Sequence, residues 1–127
     1  TIHKSSTPKS KGLIGKDEIN LMKKTAYLVN TSRGSLVDEV ELVKALQDRR
    51  IAGAALDVYE KEPLAQDHPL LSLNNVVLTP HIGGSTRRTR VQKVTIAANN
   101  VANFLQGKKI SPQYIVNQEV YKTKDSM

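Results

Sequence analysis

Residues 52–58 read AGAALDV, a run of small and apolar residues that closes on Asp57 and Val58. Two further short apolar runs flank it, AYLVNT at 26–31 and VVLTP at 76–80. Each run leads into an ionisable residue, and those residues, Arg33, Asp57 and His81, are evenly spaced along the chain. The segment between the first two runs has a helical pattern, and strands that alternate with helices read as a parallel sheet. An α/β fold with a parallel sheet and flanking helices is therefore expected. The composition of 52–58 suits a strand covered on both faces, and Gly53, Ala54 and Ala55 would let a helix approach closely. In open parallel sheets ligands bind outside the carboxyl ends of the strands. A cation, an anion and an imidazole placed just there are candidates to meet one small substrate. Taken singly, Arg33 reads as a surface ion-pair partner, Asp57 as a turn former and His81 as a satisfied polar group beside Pro80. Their recurrence at three successive strand ends favours a shared site.

Composition narrows the classes of function. The chain has 127 residues, 39% of them apolar, which fits one domain with a modest core. Its formal net charge of +7 favours anionic partners in general. The excess lysines are scattered over 4–24 and 108–124, aromatic content is only 4% and there is no Trp, so base-stacking surfaces are poorly supplied and no nucleic-acid partner is expected. There is no Cys, which removes thiolate chemistry and fits a reducing compartment. The three histidines, His3, His68 and His81, lack metal-ligand spacing, and no metal is expected. No run approaches the roughly 18 apolar residues of a membrane span, and no secretory pattern is present, so a cytoplasmic protein without a membrane partner is expected.

Residues 4–15 have loop chemistry, with Pro8, Gly12 and Gly15. A short helix is expected over 17–24, with Ile19, Leu21 and Met22 as apolar contacts and Lys23 and Lys24 complementing its carboxyl end. Residues 30–34 turn the chain at the sheet edge. Asp38 then caps a helix, Glu41 sits at capping-box spacing, and Val37 with Leu42 forms a hydrophobic staple. That helix buries Leu42, Val43, Ala45 and Leu46 and ends in Arg49 and Arg50. Residues 59–75 form a long connection with a helical turn at 68–72, and long loops in compact domains are often functional. The most regular helix covers 86–106, where Val91, Val94, Ala98, Val101 and Leu105 recur at steps of three and four before Gly107. Its first turn carries Arg87, Arg88 and Arg90, unfavourable for the macrodipole and so suited to an anion or a partner. No internal repeat stands out.

The strings VNTSRGSLVDE, GAALDVYEKEP and LTPHIGGST, in this order and spacing, resemble the NAD-dependent D-isomer-specific 2-hydroxyacid dehydrogenases, in their branch of phosphoglycerate dehydrogenases and glyoxylate or hydroxypyruvate reductases. The resemblance runs from His3 to about Asn117. It implies that Arg33 grips a substrate carboxylate, for which a guanidinium fork is suited. It implies that His81 is the acid and base at the carbonyl oxygen, and that Glu62 orients the imidazole and favours its charged form. Glu60, on the same loop, is the rival carboxylate on chemistry alone. The resemblance also places Asp57 at the nicotinamide end of NAD, with NADP left open, and lines the cofactor site with Lys4, the backbone of Thr31, Ser32 and Arg33, and His81, Ile82, Gly83 and Gly84. Ser5 stands where the family usually has Pro.

No G-x-G-x-x-G follows a strand here, and in the family that pyrophosphate loop lies in an earlier half of the cofactor domain. The expected fold is thus the second half of a Rossmann-type dinucleotide-binding domain over 1–107, begun by a stub strand at Ile2 and His3. Residues 108–127 are expected to form a crossover tail towards a substrate domain. The resemblance implies hydride transfer between NAD(H) and a small 2-hydroxy or 2-oxo acid. The alternative is an NAD-binding corepressor-like interaction protein of the same fold. An unpaired edge and an uncovered helix face lead us to expect a homo-oligomer, and a 127-residue chain that is inactive by itself.

Overall fold

The computed structural model describes residues 1–117 and Glu119, which divide into two compact units, Thr1–Gly83 and a second unit from Gly84 onward. In the first unit the three apolar runs form strands β1 (Tyr27–Asn30), β2 (Gly53–Leu56) and β3 (Val76–Leu78). All pair in parallel in the order β1-β2-β3, with Leu28 opposite Ala54 and Ala54 opposite Val76. Ile2 adds a parallel bridge to Asn30, its N–H donating to the Val29 carbonyl at 3.0 Å, so the expected stub lies on the free side of β1. Parallel strands need a crossover. A first helix, α1 (Lys16–Asn20), precedes β1, and helix α2 (Glu39–Gln47) supplies the crossover between β1 and β2.

Helix α2 starts where the sequence predicts. The Asp38 side chain accepts the N–H of Glu41 at 3.1 Å, and Leu42, Val43, Ala45 and Leu46 are buried. Each fully buried leucine contributes about 1.5–3 kcal/mol relative to exposure. Leu28, Leu36, Ile51, Leu56 and Leu70 complete the centre of the core. The helix ends at Gln47, shortly before Arg49 and Arg50.

Two local expectations are corrected. Helix α1 is shorter than its apolar pattern, and it begins with the Glu18 carboxylate accepting the Gly15 N–H at 2.9 Å. Ile19 is buried, but Leu21 is 87% exposed, and Lys23 and Lys24 lie beyond the helix. Their expected dipole contact is absent because the chain must turn through 23–26 to enter β1. At Gly53 the close neighbour is no helix. A Cβ there would fall 2.4 Å from the Asn75 carbonyl oxygen and 3.0 Å from the Tyr27 ring, so the glycine is required by the chain feeding the next strand.

The second unit is built on α3 (Arg87–Leu105), capped by Thr86, whose hydroxyl accepts the Thr89 N–H at 3.1 Å. Gly107, at φ +68°, follows its end, the conformation that favours glycine at a helix stop. No residue of α3 is buried, and Val91, Val94, Val101 and Leu105 are exposed. A 3-10 turn at Pro112–Tyr114 follows. The remainder of the expected crossover tail, residue 118 and residues 120–127, lies outside the described residues.

Candidate active site

Each strand of the first unit ends in a residue that organises the loop beyond it. β1 ends at Asn30, which is buried. Its Oδ1 accepts the Ser32 N–H at 3.1 Å and its Nδ2 donates to the Arg33 carbonyl at 2.9 Å. This side chain closes a tight turn that carries Arg33 outward, with one guanidinium N–H donated to the Ser32 carbonyl at 2.6 Å. The Ser32 hydroxyl donates to the Lys4 carbonyl at 2.6 Å, tying the turn to the segment after Ile2. His3, Lys4, Ser5, Ser6, Ser32 and Arg33 line a hollow of about 270 Å³ here. Thr31 is exposed at the start of the turn.

β2 runs into Asp57, only 5% exposed. Its Oδ1 accepts the Thr79 hydroxyl at 2.6 Å and the Ile82 N–H at 2.8 Å, and its Oδ2 accepts the Gly83 N–H at 2.8 Å. Burial by itself would raise the carboxyl above its ordinary range. The bonds from Thr79, Gly83 and Ile82 together outweigh burial, and the group is held below that range. A buried carboxylate with three donors is a fixed anion, and here it fastens the loop after β3 to the end of β2. A Cβ at Gly83 would lie 2.9 Å from Asp57 Oδ2, so this close approach needs glycine.

β3 leads through Thr79 and Pro80 to His81, whose φ of +53° is in the left-handed region. Few non-glycine residues adopt it, and outliers of this kind cluster at functional sites. The conformation is held from both sides: the His81 N–H donates to the Thr79 carbonyl at 3.0 Å, and the next two N–H groups go to Asp57. The His81 Nδ1 lies 2.7 Å from Glu62 Oε2. Glu62 Oε1 accepts the Tyr59 N–H at 3.0 Å. The bond to His81, followed by that from Tyr59, holds the Glu62 carboxyl below its usual range. Nδ1 is thus committed to Glu62, which leaves Nε2 as the other ring nitrogen. Beside the ring, Tyr59, Glu62, Pro63, Leu64, Pro80 and His81 line a hollow of about 320 Å³.

The structure thus brings Arg33, Glu62 and His81 to the carboxyl edge of one sheet, near enough that the Arg33 charge also favours ionised Glu62. Glu60 does not compete: it is exposed and faces Lys11 at 3.7 Å. Gly84 belongs to the second unit. Two residues of the frame were not singled out by sequence. The Thr79 carbonyl accepts the His81 N–H and its hydroxyl donates to Asp57, and the Tyr59 hydroxyl reaches the carbonyl oxygens of Thr79 at 3.0 Å and Leu56 at 3.2 Å. Their place at the strand ends, in LTPH and LDVY, is the signal that could have marked them. Among the described residues no group of three His, Asp or Glu could hold a metal ion, and no helix is long and apolar enough to cross a membrane.

A parallel sheet with an imidazole, a carboxylate and a guanidinium at its carboxyl edge defines a Rossmann-type half-domain with a candidate polar site. Residues 1–83 match the family model for the D-isomer specific 2-hydroxyacid dehydrogenase, NAD binding domain, and the chain belongs to that family. It is similar to a glyoxylate reductase of Aeropyrum pernix, 51% identical over 124 residues, which are 98% of this chain and 36% of that protein. The chain therefore spans about a third of the length of the curated relatives it matches. Among solved structures, a protein from Thermus thermophilus superposes with a TM-score of 0.81 at 42% identity, over 84% of this chain and 34% of that one. An NADPH-dependent glyoxylate/hydroxypyruvate reductase from Sinorhizobium meliloti, in complex with NADP and malonate, has a TM-score of 0.73 at 36% identity, over 78% and 31%.

Proposed function

We propose that this chain is the catalytic edge of an NAD-dependent oxidoreductase that interconverts a D-2-hydroxy acid and a 2-oxo acid, with glyoxylate-like acids as the substrate class. The observation that carries this reading is the Glu62–His81 pair, 2.7 Å apart at the carboxyl edge of the sheet with Arg33 nearby. Arg33 binds the substrate carboxylate, since its fork retains further N–H donors beyond the one given to Ser32. His81, oriented through Nδ1 by Glu62, presents Nε2–H to the substrate's carbonyl oxygen and gives it the proton in reduction. In oxidation the same nitrogen takes the hydroxyl proton.

The donor set at the ends of β1 and β3 fits a nicotinamide cofactor. Lys4, Ser32 and Arg33 line a polar hollow, and Gly83 lets the loop after β3 close on the Asp57 carboxylate. Lys4, the backbone of Thr31 to Arg33, Asp57, and the stretch His81, Ile82 and Gly83 would hold it. When bound, NAD(H) supplies or accepts the hydride at the substrate carbon. The Asp57 carboxylate, fixed by three donors, keeps the 82–83 backbone in place for that contact and maintains His81 in its left-handed conformation. We take 1–107 as the second half of the cofactor-binding domain and 108–127 as a crossover, and the exposed apolar residues of α3 lead us to expect a homo-oligomer.

Steady-state assays of the full-length protein with NADH or NADPH and glyoxylate, hydroxypyruvate or phosphohydroxypyruvate test the reading. Turnover that is lost on replacing His81 supports it. NAD binding without turnover of any 2-oxo acid would overturn it in favour of an interaction protein.

A further inference from the structure

Behind the loop that carries Glu62 lies a second ionisable cluster that the catalytic reading does not use. Glu39, the first residue of α2, has both carboxylate oxygens engaged. Oε1 lies 3.1 Å from His68 Nε2, and Oε2 accepts the backbone N–H of Glu60 at 3.2 Å. The His68 Nδ1 accepts the Leu70 N–H at 3.3 Å, so the ring carries its proton on Nε2 and donates it to Glu39. The Glu39 and His68 side chains are only 14% and 22% exposed, so this hydrogen-bonded pair is well shielded from solvent. The other charges here are committed elsewhere: Lys44 to Glu41 at 2.8 Å and the Glu60 carboxylate to Lys11 at 3.7 Å.

The point of attachment matters. Between the end of β2 and β3 the chain has a single 3-10 turn at Pro69–Ser72, so the position of Glu62 is set by side-chain and packing contacts with its neighbours. Tyr59 N–H holds one oxygen of Glu62, and the next N–H, that of Glu60, is held by Glu39. The turn is also pressed against Gly34, where a Cβ would lie 1.9 Å from the Tyr59 carbonyl. A displacement of about 1 Å in a catalytic group is enough to cost about a hundredfold in rate.

We propose that Glu39, anchored by His68, is a positioning residue for the acid–base pair: it fixes the turn at Glu60 and acts on the reaction only through the placement of Glu62 against His81. The proposal rests on the acid–base reading of His81. Glu39→Gln retains the size of the side chain but presents an amide where two N–H donors converge, leaving one donor unpaired.

The test uses the full-length protein and its E39Q, H68Q, E62Q and E39Q/E62Q variants, with NADH and glyoxylate. In E39Q, kcat is expected to fall about tenfold with little change in the KM for glyoxylate. The pH at which reduction declines should move in the direction seen for E62Q. The double variant should show the pH profile of E62Q alone, because one residue acts through the other. H68Q should give a weaker change of the same kind, which separates positioning from a failure of E39Q to fold. A readout that needs no turnover is the ring ¹⁵N shift of His81 in histidine-labelled protein, which should change from one fixed tautomer in wild type to a mixture in E39Q. An E39Q variant with wild-type kcat, pH profile and His81 shifts would overturn the proposal, as would shifts that add in the double variant. If instead His81→Asn keeps full turnover, the acid–base reading fails, and the ring shifts still decide whether Glu39 positions the pair.

Discussion

Glu62 divides its carboxylate between two jobs: Oε2 meets His81 Nδ1 at 2.7 Å, while Oε1 takes the Tyr59 N–H at 3.0 Å. The ring is therefore oriented by a group that is itself tied to its own backbone turn. Glu62→Gln preserves the shape but removes the charge that favours an imidazolium. The pH above which reduction declines should move to lower pH, and pH–rate profiles of wild type and variant check this. A profile that stays in place would deny Glu62 its role.

In the proposed reading His81 is the proton donor, so its replacement should lower turnover roughly a hundred- to ten-thousand-fold. Asn is the informative substitution, since the φ of +53° at this position suits Asn better than Ala. His81→Asn should thus fold while losing kcat. Arg33→Lys should act mainly on the KM for the 2-oxo acid, because a single ammonium cannot reproduce a bidentate fork. Steady-state kinetics with glyoxylate separate the two outcomes.

Asp57 predicts an acid limb of stability. Its carboxyl is held below the ordinary 3.8, so the folded state binds this proton less readily than the unfolded chain does. The stabilisation is complete above pH 3.8 and is lost as pH falls through the lower folded value. Asp57→Asn cannot titrate, and its NH2 group must replace the oxygen that accepts either the Gly83 N–H or the Ile82 N–H, leaving at least one backbone donor unpaired, so it should cost about 1–3 kcal/mol at neutral pH. Urea unfolding from neutral pH down into the acid range should show the wild type converging on the variant as acid removes the advantage.

The parallel sheet was legible in sequence because its three apolar runs are short, bounded and separated by one clear helical pattern. The same regularity exposed Arg33, Asp57 and His81, each at a strand end. What the sequence left open was which loop carboxylate faces the histidine, since Glu60 and Glu62 are chemically equal until the turn at Tyr59 gives one of them the ring. Asp57 is the opposite case. Its position was readable, but its engagement by three donors from a loop 22 to 26 residues further on depends on tertiary contacts that no local pattern encodes. Helix α1 came out shorter than its pattern because the requirement to enter β1 outweighs the weak preference of Leu21 and Met22 for a further turn.

Gly34 provides the strictest test of the loop arrangement. A methyl group there would fall 1.9 Å from both the carbonyl carbon and oxygen of Tyr59 and 2.4 Å from the Glu60 nitrogen. These are backbone atoms, which cannot step aside as a flexible side chain could, so Gly34→Ala must push the 59–62 turn away from the 3-10 turn that follows Arg33. Overpacking of this kind costs about 1–3 kcal/mol or more. Because the displaced turn carries Glu62, kcat should fall together with stability. Gly12→Ala is the matching control: its φ of +63° also disfavours a side chain, but nothing lies within 4 Å of the added Cβ. That variant should lose about 1–2 kcal/mol from backbone conformation alone and keep its kcat. Thermal melts combined with kcat at a temperature where both variants are folded distinguish the two. Equal kcat in G34A and G12A would mean that the contact between Gly34 and Tyr59 has no part in placing Glu62.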